Sequence, residues 1–524
     1  MQKISNFISK ISEKRKLLIA FIIFLIIQPI LDIYILFTDE VINIFIFSPA
    51  TIIRMLVIGV LFIILLFTNK NKKHIKYFII YGIVFAIYTG LHIYNCINID
   101  NNINPNYRVS ILSEFFYLIR MLLPLLVIYI SYNLKMDFKS LSKIIISVIL
   151  IFSIIVVVTH LLKISFKSYS EQNVVITQNI IDWFFNEDQV VNQNESLSKG
   201  WFRGANQLGN LLIMLLPISL YITVKQTNKL NCFTVFIQIF SCIIIGTRIA
   251  SYLWIPIIIC VAVIIAYFIF IKKELKPSKS LYIFLIVTLL LNTLILSKSP
   301  AIERKISTDY NNSIDNSKQT SNITQKSNNL EERINNEKDP IKVKELKKEF
   351  LLENYEAFGI MRSYIIDTYN YQYDTDFWMD ITQKESNEIN DGRKMQFLIA
   401  ERLFEINDRI LDKLVGIGFT TTRNGSLYTE LDYIAHYYTI GLVGSALLLY
   451  IKIVLLIIVI IFMFKRYKEK FTFENVIYVM SLCLIFLIAL LSAHVLDELV
   501  VTIFIGFIMG QLLNNIFMKE ENNA

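Results

Sequence analysis

GIGFTTTRNGSLYTELDYIAHYYTIGLVG, residues 416–444, is the stretch from which the fold can be worked outward. It is polar and punctuated by glycine, and it carries carboxylates (Glu430, Asp432), an arginine and an imidazole (His436) within a few turns. It runs directly into an apolar segment, expected as an uninterrupted helix over residues 439–463. Ionisable groups at the mouth of a membrane helix are costly and usually functional. The stretch therefore predicts a membrane protein with a polar site where its longest hydrophilic block meets a span.

The rest of the chain fits that frame. Of its 524 residues 55% are hydrophobic, mean hydropathy is +0.53, and apolar runs of span length recur throughout. Expected spans fall near 17–37, 51–68, 76–95, 111–131, 144–163, 205–224, 230–247, 250–271, 280–297, 439–463, 474–491 and 496–517. Residues 298–430 hold 19 Lys/Arg and 23 Asp/Glu, so a chain of net charge +8 keeps a balance of +12 elsewhere. That excess collects in alternate short connections, such as Lys70/Lys72/Lys73, Lys135/Lys139/Lys143 and Lys465/Arg466/Lys468/Lys470. The pattern marks cytoplasmic loops and places both termini inside the cell; it is not a nucleic-acid footprint. Residues 1–16 are basic and no small-residue cleavage site follows the first apolar core, so the first span is expected to stay. Cys232, Cys242, Cys260 and Cys483 sit in apolar runs and Cys96 is expected alone in a loop, so no disulfide framework emerges.

The reading is thus an all-α polytopic membrane protein of about twelve transmembrane helices, with a large, partly helical extracytoplasmic loop before the tenth. Its expected divisions are 1–297 (nine spans, with an outer loop at 164–204), 298–438 (the cap) and 439–524 (three spans and a short cytoplasmic tail). Trp183, Phe184 and Phe185 in the first outer loop look interfacial. In the cap, a helix is expected from Asp339-Pro340, with Val343, Leu346, Phe350 and Tyr355 on one face. Another is expected to carry Met395, Ile399, Leu403, Ile406, Ile410 and Leu414 and to end at Gly416 and Gly418.

With this topology nearly every costly side chain lies at the outer ends of spans: Asp32, Arg54, His92, Glu114, Arg120, His160, Arg203, Arg248, His436, His494, Asp497 and Glu498. Each alone has a bland explanation; Arg54 could simply snorkel to headgroups, and His160 is more often a satisfied histidine than a ligand. Snorkelling, however, should populate both faces. Glu114 and Arg120 lie six apart, on different helix faces, so each needs another partner. Arginines around an outer cavity resemble a pyrophosphate clamp, because guanidinium binds phosphate oxygens bidentately. Arg120, Arg203 and Arg248 are the candidates, with Asp32, Glu114, Asn206 and His436 in support. Outside the cytoplasm a lipid-linked donor is the available energy source, so the chemistry indicated is glycosyl transfer from a polyprenyl pyrophosphate. The partners are that donor, a glycan or glycolipid acceptor and the bilayer. Arginine neutralisation of the leaving group removes the need for a metal ion, and no cofactor is called for.

Three short signatures resemble the O-antigen ligase/O-antigen polymerase family, including its ligase-like members of Gram-positive surface-polysaccharide synthesis. Gly200-Trp-Phe-Arg-Gly-Ala-Asn206-Gln-Leu-Gly is similar to the family's aromatic, Asn-containing entry to a central span. Gly246-Thr-Arg248 resembles its Ser/Thr-Arg turn, and Gly416-Ile-Gly-Phe followed by Gly441-Leu-Val-Gly444 its late-loop signature. The resemblance spans nearly the whole chain and implies a GT-C-like membrane glycosyltransferase. Family ligases carry a His-Asn pair about eleven residues before the Gly-x-x-Gly element; here that place is Glu430-Leu431. The implied base is therefore Glu430, with Asp432 and His494 as neighbours, and His436 is out of register. The departure favours a polymerase-like relative over a ligase. Rival readings are a lipid-linked oligosaccharide flippase and a metal-dependent transferase using Asp39-Glu40.

Overall fold

The structure is a computed structural model, and it describes residues 13–38, 47–68, 73–99, 109–170, 174–185, 193–302, 327–384, 392–420, 431–491 and 495–518. Among these residues there are no strands, only three isolated bridges. The principal helices are α1 (Glu13–Leu31), α2 (Pro49–Thr68), α3 (Lys73–Ile97), α4 (Ile111–Asn133), α5 (Phe138–Leu161), α6 (Ala205–Lys225), α7 (Lys229–Ile245), α8 (Arg248–Tyr252), α9 (Trp254–Phe270) and α10 (Lys279–Ser297). They continue as α11 (Pro340–Asn354), α12 (Thr375–Thr382), α13 (Gly392–Asn407), α14 (Ile410–Val415), α15 (Asp432–Ser445), α16 (Ile451–Lys465), α17 (Phe473–Leu491) and α18 (Leu499–Phe517). Nine helical segments among the described residues are long and apolar enough to cross a membrane, α15 and α16 counting as one. The other three expected spans correspond to α1, whose first turn is charged, and to α7 and α9. The last two have 17 residues each, a rise of about 25 Å.

The chain divides into two compact units. The first comprises Met1–Ile79, Ile119–Arg304 and Tyr450–Ala524. Its interior is built on α6 and α18, whose apolar windows are 89% and 94% buried, against 33% for α2. These two helices carry the polar groups that lipid would reject. Around Pro217 in α6, the carbonyls of Leu212 and Met214 accept from Gln238 Nε2 (2.7 Å) and Ser481 Oγ (2.6 Å). Gly506 and Gly510 of α18 form a GxxxG face against α4, where an added Cβ at Gly510 would lie 2.4 Å from that of Ser131. Small residues permit that approach, and Gln511 secures it by donating to the Ser131 carbonyl (2.8 Å). Trp183 differs from the interfacial expectation. It is buried edge-on against His160, whose Nδ1 is 2.9 Å from Ser198 Oγ.

The second unit comprises Ile80–Leu118 and Lys305–Leu449. It therefore adds residues 80–118 to most of the expected cap. Asp339 caps α11 by accepting from Ile341 N (3.0 Å), with Pro340 at the first helical position. The core gathers Phe350, Trp378, Met395, Ile399, Leu403 and Tyr438. The helix expected to run to Leu414 stops at Asn407. Asp408 turns left-handed (φ 41°) and α14 restarts at Ile410, which is exposed rather than in the core. Cys96, expected in a loop, lies in the last turn of α3 and is fully buried.

The expected uninterrupted helix over 439–463 is also corrected. It begins at Asp432 and breaks at Gly441 (φ 69°, ψ −176°), and residues 446–450 form a π turn. The break frees carbonyls, and four of those around it find donors outside the helix. Ile417 N donates to Tyr438 O (2.8 Å), Gly418 N to Thr439 O (3.0 Å) and Tyr88 Oη to Ile440 O (2.8 Å), while Tyr81 Oη serves Leu447 O (3.0 Å). Broken backbone beside lipid survives only when protein re-satisfies it in this way. The crossing admits no side chains: a Cβ on Gly441 would lie 2.5 Å from the backbone of Leu414 and Gly416.

Candidate active site

In the first unit the ionisable residues are brought together. Gln28 donates to the Phe24 carbonyl within α1 (3.0 Å), which turns its Oε1 to accept from Arg54 Nε at 2.8 Å. Arg54, only 2% exposed, also reaches Asp32 at 3.5 Å. Arg120 donates to the Asp497 carbonyl (2.5 Å) and sits 3.7 Å from Glu498, which accepts from Gln207 Nε2 at 3.0 Å. Arg203, exposed just ahead of α6, lies within electrostatic reach of Asp32, as does Glu498, and Arg120 lies within reach of Arg54. The end of α1, the starts of α2, α6 and α18 and the first half of α4 thus supply one cluster of three arginines and at least two carboxylates.

The arginines differ in how far their donors are committed. Arg54 is held by Gln28 and Asp32, the arrangement of a fixed, buried charge with its counter-ion. Arg120 Nε is buried and finds no acceptor among the described residues. A buried unpaired donor costs about 1–3 kcal/mol, so an arrangement that keeps one is suited to an incoming oxygen. Arg54 was missed as more than a membrane anchor. The available signal was an arginine inside a helix of mean hydropathy 2.8, with Asp32 at the end of the preceding span.

Arg248 is not drawn into this cluster by any contact among the described residues. It is exposed at the start of α8, after Gly246 (φ 70°) and the N-cap Thr247, and its electrostatic neighbour is Tyr252. Asn206 is exposed in the first turn of α6. Glu430, His494 and the Asp39-Glu40 pair lie outside the described residues.

The second unit holds the remaining candidates. Asp432 and His436 are buried in α15, with His436 Nδ1 against the Asp432 carbonyl. Glu114, fully buried, is committed to the late-loop signature. Its Oε2 accepts from Phe419 N (2.8 Å) and its Oε1 from Thr420 N (2.7 Å) and the Thr420 hydroxyl. His92 Nε2 lies 3.3 Å from the same carboxylate. Nearby, Asn95 Nδ2 bridges Asp412 and the Gly416 carbonyl (both 2.8 Å), and Arg409 closes on Asp412 at 2.7 Å. Glu114 thus positions residues 416–420, and its partner stands 306 residues away in the chain. Glu114 and Arg120, six apart on α4, do take separate partners, one in each unit.

No curated protein and no solved structure matches this sequence. The pattern of the family described as O-antigen ligase like membrane protein matches residues 12–521, nearly the whole chain. The chain is therefore a member of the O-antigen ligase like membrane protein family.

Proposed function

We propose that this protein is a metal-independent glycosyltransferase of the cytoplasmic membrane. It polymerises oligosaccharide units carried on polyprenyl pyrophosphate, at the outer membrane face, into a cell-surface polysaccharide. The observation that carries the reading is the Arg54–Arg120–Arg203 cluster, with a buried, unpaired donor on Arg120. In the reaction the acceptor hydroxyl oxygen attacks the donor's anomeric carbon. The bond from that carbon to the pyrophosphate oxygen breaks, and the electron pair leaves with the pyrophosphate. Arg120 and Arg203 neutralise that charge, with Arg54 and Asp32 fixing the field around them; Arg248 is a further pyrophosphate ligand. The hydroxyl proton passes to a carboxylate, for which the family register nominates Glu430, with Asp432 and His494 as supporting groups. All twelve apolar segments span, with both termini cytoplasmic, as the basic connections require.

The test is the length pattern of lipid-linked and surface glycan in cells with and without the protein. Single repeat units accumulating on the carrier in its absence is the expected result. Loss of all exported units would overturn the proposal in favour of a flippase, and long chains made at the normal level would exclude any role in polymerisation.

A further inference from the structure

The buried group His92, Cys96 and Glu114 in the second unit has no part in the scheme above. His92 and Cys96 are four residues apart on α3, so both project from one face, the spacing by which a helix offers two ligands to one ion. Glu114 on α4 supplies a third, and the three ligand atoms lie within 4.8 Å of one another. All three residues are fully buried. His92 Nδ1 is 2.6 Å from the Val415 carbonyl, which can only accept, so Nδ1 carries the proton. The neutral ring then turns a bare Nε2 lone pair towards Glu114 Oε2 (3.3 Å) and Cys96 Sγ (3.7 Å). A lone pair facing a carboxylate is repulsive unless a positive charge stands between them.

We propose that this charge is a divalent transition-metal ion, Zn2+ by preference, ligated by His92 Nε2, Cys96 Sγ and Glu114 Oε2. With Zn–N and Zn–O of about 2.0–2.1 Å and Zn–S of about 2.3 Å, a tetrahedral site has edges near 3.3 Å for N···O and near 3.6 Å for N···S. The observed 3.3 and 3.7 Å match both. The outer contacts also suit a metal. The imidazole donates its other N–H to a backbone carbonyl, and the carboxylate is oriented by Phe419 N and Thr420 N. A thiolate and a carboxylate cancel the charge of the ion, so the buried site is neutral overall. A bridging proton would satisfy His92 and Glu114 but would leave the placement of Cys96 unexplained. The ion ties α3 and α4 to residues 416–420, so its role is to fix the late-loop signature rather than to act on substrate.

The experiment uses full-length protein in detergent, stripped of metal and titrated with Co2+, with zinc content measured on protein as isolated. Wild type should take up one equivalent of Co2+, with a thiolate-to-cobalt charge-transfer band. Zn2+ should displace the Co2+ and raise the thermal midpoint. Cys96→Ser, checked for monodispersity, should lose the band and the stabilisation. A wild-type protein with no saturable band, or a band that persists in Cys96→Ser, overturns the proposal. The wild-type titration decides even if the variant fails to fold. None of these readouts uses turnover, so metal binding can fail while the proposed transferase activity stands, and the reverse.

Discussion

Replacing Gly441 by alanine perturbs the point where the late-loop signature crosses the broken helix. At φ 69°, ψ −176° the backbone occupies a region reserved for glycine, where another residue costs about 1–3 kcal/mol. The new Cβ would also sit 2.5 Å from Leu414 C, Leu414 O and Gly416 N, all backbone atoms that cannot swing aside like a flexible side chain. Relief requires parting the two segments, which breaks Ile417 N to Tyr438 O and Gly418 N to Thr439 O. Those two bonds add about 0.5–1.5 kcal/mol each, for a total loss on the order of 2–6 kcal/mol. Gly59 in α2 and Gly90 in α3 are the controls, since a Cβ at either meets nothing within 4 Å. Alanine there is neutral or stabilises by up to about 1 kcal/mol. Thermal unfolding of the purified variants in one detergent, followed by intrinsic fluorescence, reads the difference. Gly441→Ala should melt several degrees below wild type while Gly59→Ala and Gly90→Ala do not. If Gly441→Ala matches the wild-type midpoint, the crossing is not as close as described and the argument for the glycine signature fails.

The arginines are tested by Arg54→Lys, Arg120→Lys and Arg203→Lys in a polymerisation assay with lipid-linked donor. Lysine keeps the charge and loses the planar fork, so each is expected to lower turnover by about 10-fold to 1000-fold, and normal polymer from all three would reduce them to anchors. Glu430→Gln should abolish transfer while binding of the donor persists, and turnover should continue with Mg2+ and Mn2+ withheld. A strict Mg2+ requirement lost with Asp39→Asn would establish the metal-dependent rival instead. The Asp374 carboxyl of the cap is pushed up by burial, but hydrogen bonds from Arg402, Tyr369 and Phe377 N outweigh this and hold it below its usual range. Its contribution is therefore complete above about pH 4 and is lost as pH falls through the lower folded value. The acid limb of the unfolding midpoint should flatten in Asp374→Asn, and an unchanged limb would show that the pair does not stabilise the cap.

How far the sequence foretold this structure depended on the distance over which a signal acts. Apolar runs and caps act locally, so α11 starting at Asp339-Pro340 and the core positions Met395, Ile399 and Leu403 were legible. The break at Asp408 was not, because a single left-handed residue leaves the three-to-four spacing of apolar residues nearly intact on either side. Gly441 was hidden for a related reason. Inside an apolar run a glycine reads as a tolerated helix residue, and only its contact with Gly416 shows that the helix must part there. Cys96 falls one residue past the expected span 76–95, yet the helix continues through it, and Asn95 beside it serves the fold by reaching Asp412 and Gly416.

The partners of the charged groups were least legible, and they bear most on function. That Glu114 and Arg120 could not serve each other followed from helix geometry alone. That one would bind Phe419 and Thr420 and the other Asp497 and Glu498 required the folded chain. The partners also separate positioning from contact. Glu114 has both oxygens oriented by protein donors and Arg54 is fixed by Gln28 and Asp32, so both act first as positioning groups. Arg120 keeps a buried donor without an acceptor, and Arg203 and Arg248 stay exposed. Arg120 can therefore gain an anionic ligand without losing an existing bond, by offering its unused Nε–H. On that physical ground Arg120, rather than a charge whose bonds are already made, is the arginine that the proposed scheme sets against a phosphate oxygen.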